Sequence, residues 1–523
     1  DELVRKETGY GIEELKSMLA GDVAIYIENL DFALGDEFVE EDIDLVMLVT
    51  VADDASKLEE LLLRQEEQAE DSNEEDDGRE TSNEIREFRD VELHVSSVFE
   101  GEDPVEEHAW AVVDGVLAVA SSVESLEAAV ANTLDGGIDE PLRSGTNFAT
   151  VAGHIRNADG WFFFDIEPWV PLFRKGMEEG VAAAAESGSP FPMDVDTLAD
   201  ALGLNAMQAL FATVDYADKT LAMDFGMTYT ENVGLMKLMA YGPEEAPRPT
   251  FIPVDSDAFS AAHFDFQTSW SALVDIVNGI NPSLMGMAAM QLESRVQGAG
   301  AELDLGRDLL ENLTGEMISI QNLEGITGET IADLDLLQDQ VFAVGVQQRQ
   351  GIENAIETLK TLAGQGSQLF RERDFEGHTV FSLDLPQVEG ESEMDISYTI
   401  TDSHLLLSFG SPVTLEKILL KLAGKRESIW KTPAVRRALG HLPNGATSVS
   451  HYDLAETGHL PFTVIAALDA IPTDDNGDDP ICDPSAIPDS DIVGRYLSSA
   501  VSGVWKDDRE IVIRSLVLPA DGE

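Results

Sequence analysis

The sequence predicts an α+β protein, internally duplicated into two pseudo-symmetric halves, each an antiparallel sheet covered by helices. Three observations predict it. A strand, turn, strand and helix unit, AWAVVDGVLAVASSVESLEAAVANTL from Ala109 to Leu134, returns as SYTITDSHLLLSFGSPVTLEKILLKL from Ser397 to Leu422. The pair Asp114 and Asp402, one in each hairpin, and the pentapeptides GHIRN at Gly153 and GHLPN at Gly440 recur at almost the same offset, which is the signature of an internal repeat. Strands do not alternate with helices as parallel βαβ units would require, which argues against a doubly wound nucleotide-binding fold.

Taken in order, Tyr10 to Leu30 reads as a short helix carrying Ile12, Leu15 and Leu19, a stop at Gly21, and a strand over Val23 to Ile27. A strand over Asp44 to Val51 and a helix over Ala55 to Arg64 follow. The run QEEQAEDSNEEDDGRETSNE, residues 65–84, is polar without periodicity and is expected to be a solvated loop. Its carboxylates lack the ordered ligand spacing of a calcium loop. Phe88 to Val98 is the next strand. In the unit that follows, Asp114-Gly115 is a favoured two-residue turn because both positions take positive φ. Ser122 then stands as a cap before the helical spacing of Val123, Leu126, Val130 and Leu134.

After Gly145 come a helix ending near GHIRN, a very apolar strand over Trp161 to Ile166, and a helix over Val195 to Leu202. Two long strands, Ala209 to Tyr216 and Thr220 to Tyr229, turn at Ala217-Asp218, and Leu235 to Ala240 reads as one more strand. The proline-rich PEEAPRPTFIP, Pro243 to Pro253, divides the chain into a first half, 1–250, and a second, 251–523.

The second half opens with a strand near Ala261 and helices within 251–300, continues with a core unit over 301–430 and ends with a C-terminal unit over 431–523. Leu313-Thr314-Gly315-Glu316-Met317 echoes Leu19-Ala20-Gly21-Asp22-Val23, and Phe375 to Leu383 echoes Phe88 to Val98. ALFATVDYADKTLAMDFGM from Ala209 matches SAVSGVWKDDREIVIRSLVL from Ser499. Nothing upstream in the first half answers the strand near Ala261, and the chain opens on DELVRKETGYG without an initiator Met, so a preceding segment holding that strand is expected.

Composition bounds the function. The 100 Asp and Glu against 32 Lys and Arg give a formal charge of -68, which opposes nucleic acid and anionic membrane surfaces. No apolar run reaches the length of a membrane span. The single Cys482 excludes an intramolecular disulfide framework.

No catalytic or cofactor pattern is present: there is no G-x-S-x-G, Gly298-Ala299-Gly300 lacks a third glycine, and no H-E-x-x-H occurs. Asp474, Asn476 and Asp478 alternate as calcium ligands do and are the candidate metal site, although Gly477 falls too early and Ser485 stands where a bidentate glutamate belongs. His451, Asp453 and His459 form a weaker cluster. His154 and His441 follow glycines at helix ends, where an imidazole can bond the last carbonyls. Phe162, Phe164, Trp169, Leu284, Met287 and Met290 are candidate linings for an apolar ligand.

The order helix, LxGD/E, strand, strand, helix, strand, DG hairpin, SLE helix, lone aromatic strand and long final hairpin resembles bacterial proteins grouped as domain of unknown function number 3352. The resemblance implies an exported or envelope-associated protein and supplies no catalytic residues. The expectation is a non-catalytic scaffold, assembly subunit or accessory component of an envelope complex, periplasmic, envelope-bound or extracellular, with protein partners or self-assembly and calcium or other divalent cations as the candidate ligands. The alternative is a carrier for a lipid or another hydrophobic ligand.

Overall fold

The computed structural model describes residues 10–11, 17–30, 43–51, 57–64, 79–100, 103–136, 142–186, 194–280, 290, 305–323, 339–362, 370–383, 396–458 and 490–520. The fold is mixed α and β with antiparallel sheets, in two compact units, Asp1–Gly145 and Thr146–Glu523.

The first unit is a six-stranded sheet. Its strands are β1 (Leu19–Leu30), β2 (Ile43–Val51), β3 (Arg79–Phe88), β4 (Val91–Glu100), β5 (Asp103–Val113) and β6 (Val116–Ala120), in the order β1-β2-β6-β5-β4-β3. Asp114 and Gly115 take φ of 47° and 78°, the left-handed pair that a tight hairpin demands. Ser122 caps helix α2 (Val123–Leu134) by accepting from the Ser125 N–H at 3.2 Å. The apolar stripe of α2, with Leu126 and Val130 fully buried, covers the face that carries Val46, Leu93, Val95 and Ala111. Each such aliphatic side chain contributes about 1.5–3 kcal/mol by leaving water. On the other face Leu58 and Leu61, from helix α1 (57–64), pack on Val49, Trp110 and Leu117.

The second unit is one antiparallel sheet of thirteen strands. They are β7 (Gly160–Asp165), β8 (Met207–Ala217), β9 (Thr220–Tyr229), β10 (Ala258–His263), β11 (Leu313–Gln321), β12 (Gln340–Val346), β13 (Phe370–Phe375), β14 (His378–Leu383), β15 (Ile396–Ile400), β16 (His404–Phe409), β17 (Ser448–Asp453), β18 (Leu497–Lys506) and β19 (Glu510–Pro519). Their order is β13-β14-β15-β16-β12-β11-β10-β17-β18-β19-β9-β8-β7. Six of them, β11-β12-β16-β15-β14-β13, follow the connectivity of the first unit's sheet. The irregularity matches too: β1 slips against β2 between Leu19 and Val23, and β11 slips against β12 between Leu313 and Met317.

One face of this large sheet is helix-covered along its length. Helix α3 (Thr146–Ile155) packs Val151 and Ile155 on Phe211 and Val512. Further along, α9 (Val413–Leu422) packs Leu415, Ile418 and Leu419 on Ile318, Val341 and Leu406, and α10 (Pro433–Leu439) brings Ala438 to Val501 and Leu516.

Several sequence expectations change. Phe88–Val98 and Phe375–Leu383 are not single strands. Arg89-Asp90 and Glu376-Gly377 are positive-φ turns, so each segment belongs to a hairpin whose partner strand precedes it. The end of the acidic run, from Arg79, is strand β3; the rest of it lies outside the described residues. Leu235 to Leu238 form a short helix, α6, where a strand was expected. The turn between β8 and β9 sits one residue later, at Asp218-Lys219. The compact units divide at Gly145 and not near residue 250, because β7, β8 and β9 extend the second half's sheet through β19.

Candidate interaction surface

Among the described residues, side chains of two helices pack on the opposite face of the thirteen-stranded sheet. Near β14 to β16, Ile352 and Ile356 of helix α8 (Arg349–Leu362) pack on Tyr398, Ile400 and Leu405. Near the turn between β18 and β19, Met236 of α6 packs on Tyr229, Val504 and Ile511. Lys506 holds α6 there by donating to the Met236 and Met239 carbonyls, the latter at 2.7 Å, and its burial pulls its pKa down to about 8.

Across this face the register sets out two neighbouring rows, exposed at Phe162, Phe225 and Met223 and buried at Val504 and Ser448. Phe162, Ala212, Phe225, Ile513, Val504 and Ser448 stand side by side across β7, β8, β9, β19, β18 and β17. The neighbouring row begins with Val214 and Met223 and runs on through Ser515, Ser502, Ser450, Ser260 and Ser319, one serine from each of five adjacent strands. Phe162 is 54% exposed, Phe225 50% and Met223 40%. Among the described residues from β7 to β11, Lys506 is the sole charged side chain on this face.

Of the candidate lining residues, Phe162, Phe164 and Trp169 do come together. The Phe162 and Phe164 rings lie parallel at 6.4 Å, and Trp169 meets Phe164 at 4.7 Å. Met290 is 63% exposed, and Leu284 and Met287 lie outside the described residues. Sequence reasoning missed Phe225 and the serine row. The alternation of Leu221, Met223, Phe225 and Met227 with Ala222, Asp224, Gly226 and Thr228 was the available signal.

Of the metal candidates, only His451 and Asp453 are among the described residues. Asp474, Asn476, Asp478 and Cys482 lie outside the described residues, as does His459. Asp453 is an N-cap, accepting from the Ala455 N–H at 3.1 Å. His451 is 3% exposed on the helix-covered face, stacked on Phe259, with neither ring nitrogen partnered, and burial lowers its pKa against the opposing charge of Asp453. Among the described residues no three His, Cys, Asp or Glu side chains form a metal-sized group.

The expected carbonyl bonding by His154 and His441 gives way to two different arrangements. His154 stacks on Phe211 and places Nε2 3.1 Å from the Glu510 carboxylate. The His441 ring is exposed, and only its main-chain N–H bonds the Ala438 carbonyl.

No family model, curated protein or solved structure matches the chain. Among the described residues no helix is long and apolar enough to cross a membrane.

Proposed function

We propose that the chain is a non-catalytic assembly subunit acting outside the cytoplasm, and that the sheet face carrying Phe162, Phe225 and the serine row is where one copy packs on another. One observation carries the reading: in a protein with 100 acidic residues, no carboxylate among the described strand residues from β7 to β11 lies on this face. Solubility alone gives no reason for that. A surface that is desolvated in a complex does, because burying an unpaired carboxylate costs several kcal/mol or more.

Aromatic and aliphatic side chains in one row beside small serines in the next give the relief that two stacked sheets interdigitate. The shared strand order and the shared slip at Gly21 and Gly315 support an internal duplication as the origin of the two six-stranded sheets. Calcium or another divalent cation would screen the remaining acidic surface of neighbouring copies.

A nitroxide placed at Ser502→Cys in a Cys482→Ser background tests the packing. Face-to-face sheets ~10 Å apart bring the two labels within about 20 Å in the assembled protein. Intermolecular distances well beyond that contradict it.

A second reading, a carrier for a lipid or other hydrophobic ligand, is favoured by the cluster of Phe162, Phe164 and Trp169 at one end of the same face. In that case a solvent extract of the purified protein contains stoichiometric lipid and the chain stays monomeric.

A further inference from the structure

The turn between β15 and β16 carries an arrangement that the sheet face does not use. Asp402 and Ser403 form its tip, and His404 opens β16. His404 is 8% exposed, with the Phe251 ring edge-on against it at 4.7 Å. Ser403 is exposed, and its Oγ lies 2.8 Å from Nδ1 of His404. Across the ring, Nε2 lies 3.0 Å from Oε2 of Glu316. A carboxylate only accepts, so Nε2 carries the ring proton, and the Nδ1 lone pair accepts the Ser403 O–H. Burial keeps the imidazole in that neutral form by pulling its pKa below 6.5, with the Glu316 charge and hydrogen bond opposing.

Three strands build this array. Glu316 stands on β11 and reaches His404 on β16 across β12, where the register puts Gly345 opposite His404. A Cβ on Gly345 would collide with Thr314 Oγ1 and lie 3.0 Å from the Cβ of Glu316, so the crossing depends on the glycine. The hairpin in the same place in the first unit, β5 to β6, has Asp114, Gly115 and Val116 where this one has Asp402, Ser403 and His404. The turn therefore forms without a hydroxyl or an imidazole.

We propose that Ser403 is an acyl-acceptor site, a nucleophile with His404 as its base and Glu316 positioning that base, which takes one acyl group from a thioester or another activated ester. As the Oγ–C bond forms, the hydroxyl proton passes to Nδ1. As the C–S or C–O bond of the donor breaks, the leaving thiolate or alkoxide takes that proton from the imidazolium. The new ester stays on the serine. The Ser403 and His404 N–H groups both point to Oγ1 of Thr401, at 3.4 and 2.9 Å, and neither is placed to stabilise an oxyanion. One missing oxyanion donor costs about 10²–10³-fold in rate, which limits the donors to esters with good leaving groups and leaves water too poor a nucleophile to remove the acyl group. A single acylation of this kind is compatible with a non-catalytic chain, and it does not depend on the assembly reading.

The test treats the full chain with p-nitrophenyl acetate, an activated aryl ester, and follows intact mass, peptide maps and nitrophenolate release. Ser403 should take one acetyl group, at least 100-fold faster than any other serine. Ser403→Gly, which copies the turn of the first unit, should abolish that label, and His404→Gln should slow it at least 100-fold. If His404→Gln fails to fold, the pH profile of the unchanged chain serves: the rate should rise through a midpoint below pH 6.5 and level off above it. Glu316→Gln should slow labelling about tenfold and move that midpoint lower still, because the carboxylate no longer supports the imidazolium; a merely structural role would leave the midpoint in place. Among the described residues, the other titratable groups near the array are His263 on β10, cross-strand from Glu316 and 3.6 Å from Glu244, and, at the exposed tip, Asp402 paired with Arg349 at 3.3 Å. Ser403 labelled no faster than other serines overturns the proposal. So does labelling that is flat in pH and ignores Glu316→Gln. Nitrophenolate released far beyond one equivalent per chain, and lost in Ser403→Gly, would make the chain an esterase and also overturns it.

Discussion

His451 shows what a single residue can report. Its ring is buried against Phe259 with both nitrogens unpartnered, so the folded protein holds it neutral and its pKa falls below the ordinary value of 6.5. The unfolded chain therefore binds this proton more readily than the folded one does. Stability is intact above about pH 6.5 and is lost as pH falls from there through the folded-state pKa. Thermal melts at pH 7.5 and 5.5 should show a drop that His451→Phe reduces, because phenylalanine keeps the stack and has no proton to gain. An equal drop in the variant would show that other groups set the acid limit. His404, buried beside Glu316 at 3.0 Å, is shifted in the same direction by burial with the carboxylate opposing, so the drop should shrink and not vanish. The sequence offered His451 as a possible ligand beside Asp453 and could not show its burial, because alternation marks two faces of a strand without saying which one the helices cover.

At the scale of elements, the three-stranded pieces β7-β8-β9 and β17-β18-β19 join through β9 and β19, where Asp224 stands opposite Arg514. The guanidinium makes two bonds to the carboxylate, Nε to Oδ1 at 2.6 Å and Nη2 to Oδ2 at 2.5 Å, and the Asp224 side chain is only 8% exposed. Asp224→Ala leaves the arginine without its partner in the seam and should cost about 2–4 kcal/mol, discounted from the fully buried range because Arg514 is 41% exposed. The double variant with Arg514→Ala should recover part of that loss in urea unfolding. Additive losses would mean that the pair does not couple the strands. Much of this level was legible in the sequence. The Asp114-Gly115 turn, the Ser122 cap and the α2 stripe each follow from local chemistry, and each is present. Strands β3 and β13 were not legible, since RETSNEIREF and RERDF carry charges where alternation would place apolar residues. Both are sheet edges, and edge strands use charge to discourage stray pairing. The strand assigned to Leu235–Ala240 failed for a related reason. A short apolar run fits either period, and Lys506 together with packing on Tyr229 and Ile511 settled it as helix.

For the whole molecule, the decisive contrast is between a formal charge of -68 and a sheet face with one charged side chain among its described residues from β7 to β11. The charge repels copies of the chain from one another over roughly a Debye length, ~10 Å at 0.1 M salt, while the face attracts them at contact. Association should therefore strengthen with salt and with calcium, the reverse of an assembly held by ion pairs. The most direct test is the molar mass in solution by light scattering, measured for the chain and for Phe225→Glu from low to moderate salt and then with millimolar calcium. The sheet-face account predicts multiples of 56.8 kDa that grow with ionic strength and revert to monomer in the variant. A chain that stays at 56.8 kDa throughout, or one whose association Phe225→Glu leaves unchanged, would contradict it.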